Sequence, residues 1–186
     1  MSRRNAILLI LAACLLAACA QEQPPRPQPW ENVQAGIRFY VAVGFEVRET
    51  TEEGCQFAVE ASKGADLRFR ICVSPPRPEI LLTQNDFVAC ENVKLYIEQA
   101  LKGIRPTCNP GKAGDLFAYD TLYARRLKDE HGKVRVQFVN HLFVPAKGKL
   151  VQVTASAIGD DDKHAQALFE QNRGALFAMM SSVRIR

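Results

Sequence analysis

The sequence predicts an α+β fold, an antiparallel β-sheet of about six strands flanked by two main helices. Three observations predict it. Short segments that alternate apolar and polar residues recur along the chain, as half-buried strands require. Two other stretches carry apolar residues at steps of three and four, which puts one stripe on a helix. The later strand segments are joined by short polar turns, so they pair antiparallel as a meander.

Ahead of that domain lies a leader. Met1-Ser2-Arg3-Arg4-Asn5 is basic, and residues 6–18 are nearly all Ala, Ile and Leu. The run is too short for a hydrocarbon core that needs about 20 residues. A basic start, a short apolar run and small residues before a cut describe a secretory signal. Leu16-Ala17-Ala18-Cys19 resembles the lipobox of bacterial lipoproteins. That resemblance implies cleavage before Cys19 and its acylation, because several acyl chains anchor stably where one holds marginally. Leu11-Ala12-Ala13-Cys14 also matches, but leaves a shorter apolar run and is followed by more of it. Ala20 after the cysteine implies, by the same resemblance, the outer membrane. Gln23-Pro24-Pro25-Arg26-Pro27-Gln28-Pro29 is an extended, semi-rigid tether. The expected organisation is therefore a signal at 1–18, a lipidated cysteine and tether at 19–30, and one domain at 31–186.

Within the domain, residues 36–43 form a strand rich in β-branched and aromatic residues, and 46–48 continue or pair it. Residues 50–54 are a polar turn. Residues 55–61 alternate, and 62–66 close a hairpin with Gly64 free to take positive φ. Leu67, Phe69, Ile71 and Val73 then share one face of the partner strand. Prolines at 75, 76 and 78 end it. A helix follows, capped by Thr83 or Asn85, with Phe87, Cys90, Val93, Ile97, Ala100, Leu101 and Ile104 on one stripe and Gly103 and Pro106 as its stop. Residues 107–114 read as a loop. Strands at 116–126, 134–144 and 150–157 make the meander, the last with Val151, Val153, Ala155 and Ala157 on one face. An Asp among Asp160, Asp161 and Asp162 caps the last helix, and the others complement its dipole. Ala165, Leu168, Phe169, Leu176, Met179 and Met180 line one side of it; Asn172-Arg173-Gly174 reads as an interruption with room for a kink. Residues 181–186 read as a final strand.

This order of elements is similar to the PsbP/Mog1-like αβα sandwich, including DcrB-type bacterial lipoproteins. Lys149-Leu150-Val151-Gln152-Val153-Thr154-Ala155, the helix after it and Ser181-Ser182-Val183-Arg184-Ile185 carry the resemblance. It implies a non-enzymatic adaptor or binding domain. Where many members have Pro-Gly-Trp, this chain has Val43-Gly44-Phe45.

Cys55, Cys72, Cys90 and Cys108 remain after the leader, an even number in an exported domain, which reads as two disulfides. Neighbours in sequence pair most cheaply, which favours Cys55–Cys72 with Cys90–Cys108. The hairpin leaves two registers open. A two-residue turn at Lys63-Gly64 sets Cys55 against Cys72 but Phe57 against Arg70. An odd loop brings Phe57 near Phe69 or Ile71 and puts the cysteines on opposite faces unless a bulge intervenes.

No catalytic constellation stands out. His131, His141 and His164 have no metal-ligand spacing, Asp160 to Asp162 lack the EF-hand pattern, and Ser181-Ser182 lack a nucleophile elbow. Met179-Met180 read as core packing, with a soft binding groove as the sharper alternative. Trp30, the one tryptophan, stands where tether meets domain and can dock it or meet a partner surface. Removing Arg3 and Arg4 from 24 basic residues leaves 22 against 20 acidic, a formal +2, which implies no nucleic-acid partner. The expected function is an outer-membrane-anchored periplasmic lipoprotein that binds an envelope protein without catalysis, cofactor or metal. The alternative is an immunity or inhibitor lipoprotein that neutralises a toxin or hydrolase.

Overall fold

The computed structural model describes residues 25–75, 101, 104, 109–128, 132–146 and 148–186. The expected signal, Cys14, Cys19, Cys90, Cys108, His131 and most of the first expected helix lie outside the described residues. Among the described residues ten strands form two antiparallel sheets, more than the roughly six expected. β1 (Gln28–Asn32), β2 (Ile37–Val41) and the short β10 (Arg184–Ile185) make a small sheet in the order β1-β2-β10. The large sheet runs β3-β4-β5-β9-β8-β7-β6, from β3 (Glu46–Thr50), β4 (Phe57–Lys63), β5 (Leu67–Val73), β6 (Asn109–Ala113), β7 (Leu116–Lys128), β8 (Val134–Ala146) and β9 (Lys149–Gly159). Among the described residues the one helix is α1 (Asp162–Ser182).

The β4–β5 hairpin sets the faces. Lys63 pairs with Leu67, so the loop holds residues 64–66, an odd number, with Gly64 at φ 62°. Val59 then opposes Ile71 and Ala61 opposes Phe69. β9 continues the row, with Ala155 against Phe69 and Val153 against Ile71. These side chains form one apolar face, and α1 and the small sheet both pack on it. Phe69 is fully buried; its ring centroid is 5.0 Å from that of Phe39 on β2, and Phe138 of β8 meets Phe169 of α1 at 5.1 Å.

Cys55 and Cys72 form a disulfide, although the odd loop puts their regular positions on opposite faces. The Gln56 N–H donates to the Val73 carbonyl at 2.7 Å, beside the pair Phe57–Val73. Two residues thus stand against one, as in a bulge. That changes the parity of the chain before β4 and turns Cys55 onto the face of Cys72.

Four expectations are corrected. The expected loop at 107–114 contains β6, an edge strand, which is where a sheet tolerates Pro110. Gly114-Asp115 is the two-residue turn into β7; a Cβ on Gly114 (φ 58°) would lie 2.2 Å from the Val183 carbonyl oxygen. Strand β1 begins at Gln28, so the end of the Pro-rich stretch belongs to the small sheet, and Trp30 docks there on Phe39 at 5.2 Å. α1 runs unbroken through Asn172-Arg173-Gly174. A helical Gly costs roughly 1 kcal/mol against Ala, less than the packing of Phe169, Leu176, Met179 and Met180 on either side of it contributes. Ser181 and Ser182 end this helix rather than open the last strand. Their hydroxyls donate to the carbonyls of Ala178 and Met179, and Ser182 Oγ accepts from the Tyr40 N–H at 2.9 Å.

Asp161 caps α1 by accepting from the His164 N–H at 2.8 Å. The turn before it is tight, since a Cβ on Gly159 would lie 2.3 Å from the Ala165 nitrogen. Gly159→Ala is expected to lose about 1–3 kcal/mol in urea denaturation, the cost of overpacking against backbone. Phe69→Ala is expected to lose about 3–5 kcal/mol in the same measurement. Breaking the disulfide in Cys55→Ser is expected to cost about 3 kcal/mol, the loop entropy of a 17-residue separation.

Candidate functional site

The other face of the large sheet is polar, and it is partly buried. Strand register lines up Arg48, Glu60, Arg70, Thr154, His141 and Thr121 as one row across β3, β4, β5, β9, β8 and β7. Flanking this row, Arg68 sits beside Ser156, and Cys72 beside Gln152. The face borders a cavity of about 630 Å³ whose wall includes Glu52, Arg70, Tyr123, Arg125, His141 and Gln152.

Its charges are arranged by pairing. Glu60 is buried and held by Arg48 at 2.7 Å, with Arg68 at 3.8 Å on its other oxygen. Glu52 sits in the turn before Cys55 and forms an ion pair with Arg70. The disulfide ties that turn to β5, so it holds Glu52 over the guanidinium. Arg125 has no carboxylate partner among the described residues; its Nε donates to Gln137 Oε1 at 2.7 Å, and Gln137 Nε2 donates to Ser156 Oγ at 2.9 Å. Burial lowers the Arg70 pKa, nearby Arg125 lowers it further, and Tyr123 acts in the opposite sense.

His141 stands at the centre and is only 5% exposed. Its Nδ1 lies 3.1 Å from the Tyr123 hydroxyl, and its ring stacks on Phe143 at 4.0 Å. Burial drives its pKa down from 6.5 to about 3; Gln152 opposes this, while Arg125 and Arg70 add to it. Gln152 is thus close enough to favour the charged ring, yet Nε2 is buried without a well-formed hydrogen bond. Burial also raises the Tyr123 pKa, which Arg125 and Arg70 partly offset. At neutral pH this is a neutral imidazole against a neutral phenol, in a field from two guanidiniums.

The remaining sequence candidates are not part of this basin. Asp160 pairs with Lys133 at 2.8 Å, which holds its carboxyl below the usual range, and its N–H donates to His164 Nδ1 at 3.2 Å. Among the described residues no group of three His, Cys, Asp or Glu is placed to hold a metal ion. Met179 and Met180 are buried in the core. On the helix side, burial raises the Asp120 pKa, partly offset by Asn140, whose Nδ2 donates to it at 2.6 Å. Sequence reasoning placed His141 in a strand but missed the cluster around it. The available signal was alternation: Arg68-x-Arg70, Gln152-x-Thr154-x-Ser156 and Gln137 all occupy the positions between apolar residues.

No family model matches the sequence, and no curated protein matches it. The structure is similar to that of cyanobacterial PsbP from Synechocystis sp. PCC 6803, at 13% identity and a TM-score of 0.45, over 90% of this chain and 97% of that one. It is also similar to LpqN, a protein involved in cell envelope biogenesis of Mycobacterium tuberculosis, at 13% identity and TM-score 0.46, over 91% and 96% of the chains. A third is the Ran-binding protein Mog1p of Saccharomyces cerevisiae, at 10% identity and TM-score 0.48, over 86% and 95%. At these values the likeness is one of strand and helix layout alone.

The His141 shift makes acid stability a readout of the basin. The unfolded ring takes up a proton near pH 6.5 and the folded ring only near 3. Between those values the unfolded state binds more protons, so stability is intact above pH 6.5 and falls as pH drops through the window. The slope is at most about 1.4 kcal/mol per pH unit. His141→Gln is expected to be less stable than wild type at pH 7.5, with the gap narrowing at pH 4.5 in urea titrations. An unchanged gap would mean the ring titrates normally.

Proposed function

We propose that the chain is a lipoprotein anchored through acylated Cys19 to the outer membrane. Its periplasmic domain binds a partner without catalysis, through the polar basin on the second face of the large sheet. Buried, hydrogen-bonded polar groups on a rigid sheet are the hallmark of a recognition surface, because each unpaired group discriminates against the wrong ligand.

The single observation that carries the non-catalytic reading is the wiring of His141. A general base needs a pKa near the working pH and a nucleophile in reach. The His141 pKa is about 3. Its Nδ1 faces Tyr123 and not Ser156, whose hydroxyl accepts from Gln137. The anchoring reading rests on Leu16-Ala17-Ala18-Cys19 followed by the Pro-rich stretch. Among the described residues, no helix is long and apolar enough to cross a membrane.

Metabolic labelling with a palmitate analogue is expected to mark the wild-type protein and not Cys19→Ser. Retained label in Cys19→Ser would assign acylation to Cys14 or another site. Photo-crosslinkers placed at Arg125 and Thr154 are expected to capture an envelope partner in intact cells, and one at the exposed Glu170 on α1 is not. Capture from Glu170 alone would move the binding surface to the helix side.

A further inference from the structure

We propose that the basin takes a carboxylate of its ligand, hydrogen-bonded by His141 Nε2 in the field of Arg125 and Arg70. This rests on the reading of the basin as the binding site. Three observations carry it.

The first is the sign of the field. Among the described residues, the charged groups that act on both His141 and Tyr123 are Arg125 and Arg70, two cations in the same cavity wall. Of the three acids in the cavity wall, Glu60 is committed to Arg48 and Arg68 and Glu52 to Arg70, while Glu53 is exposed in the turn. Arg125 is the guanidinium left without an acid among the described residues, and it is fixed in place by Gln137.

The second is the orphaned atom. His141 is 95% buried and lines the cavity, and among the described residues its Nε2 has no well-formed hydrogen bond, with the Gln152 side chain a polar neighbour acting on the ring. Its tautomer follows from the hydrogen bond at the other nitrogen. We assign the Tyr123 hydroxyl as the donor to Nδ1, which places the ring proton on Nε2. The cavity therefore presents an unsatisfied N–H donor beside cations. A buried donor without a partner costs roughly 1–3 kcal/mol, and a ligand oxygen recovers this on binding.

The third observation chooses the anion. The same cavity wall already pairs carboxylates with guanidiniums, Glu52 on Arg70 and Glu60 on Arg68. The first pair is built by the disulfide-tied turn. It places a carboxylate beside Arg70 in this wall. An arginine fork matches a carboxylate with two parallel N–H donors. Arg125 offers the equivalent place, with the His141 donor in the same wall.

The test uses the mature protein in detergent micelles and follows the histidine ring signals by NMR, with the His141 signal assigned by its loss in His141→Gln. Sodium acetate and sodium succinate are added at constant ionic strength, with sodium chloride and inorganic phosphate as comparators. The His141 signal is expected to shift saturably with acetate and succinate and not with chloride, while His164 stays put. In Arg125→Gln the midpoint is expected to rise roughly tenfold or more, the loss of one charge-assisted hydrogen bond. No saturable shift with either carboxylate, an equal shift in Arg125→Gln, or saturation by phosphate alone would overturn the assignment. Crosslinking from Arg125 and Thr154 separates this from the wider reading. A partner captured while acetate and succinate fail removes the carboxylate and leaves the binding site standing; no partner from those positions removes the site.

Discussion

The three-residue loop between β4 and β5 decides where every side chain of the central strands points. With residues 64–66 in the loop, Phe57, Val59 and Ala61 fall in line with Val73, Ile71 and Phe69. β9 extends the row through Val151, Val153 and Ala155. A loop one residue shorter would turn one strand over, setting Phe57 and Val59 against the arginines of β5. The hydrophobic gain is large and the register follows it. The disulfide then obeys the register, since the chain inserts a residue at Gln56 to bring Cys55 round. Packing of the core fixes the geometry, and the covalent bond is accommodated at the edge of the pair.

The consequence of a one-sided core is a second face that must be polar or covered. Polar residues fill it, but as a connected set rather than a solvated fringe. Arg48, Glu60 and Arg70 alternate in sign across neighbouring strands, so each cross-strand contact is attractive. Past Arg70 the row becomes neutral, through Thr154, His141 and Thr121. Near His141, among the described residues, the charges that act on the ring are Arg125 and Arg70, and of these Arg70 is paired with Glu52. The protein tolerates this by keeping imidazole and phenol uncharged. A cavity wall with as many acids as arginines can still leave one guanidinium, Arg125, without an acid among the described residues.

What the sequence made legible was local. Alternation in 67–73 and 150–157 located the apolar face residue by residue, and Asp161 was within the expected cap. Boundaries failed where tertiary contacts outweigh propensity. Gly174 has open space at its α-carbon, and the apolar side chains on both sides of it reach the same sheet, so the helix continues. Asn109, Pro110 and Gly111 look like loop residues, yet they lie along the edge of the sheet against Asp120, Tyr119 and Ala118. Gly111 also needs to be small there, because a Cβ would lie 2.7 Å from that of Asp120. The basin was illegible for a different reason. Arg, Gln, Thr and Ser at alternate positions are the ordinary signature of a solvated face, and burial is not encoded in alternation.

Glu52 links the fold to the site. It is surface-borne by sequence, in a polar turn, and its position over Arg70 comes from Cys55 three residues on. The disulfide therefore does more than restrict the unfolded chain. It delivers a carboxylate to one of two guanidiniums and leaves the other without an acid among the described residues. If the turn were free, Glu52 would exchange between Arg70 and water, and the basin would present two open cations instead of one. Formation of this bond thus sets the charge of the site as well as the stability of the domain.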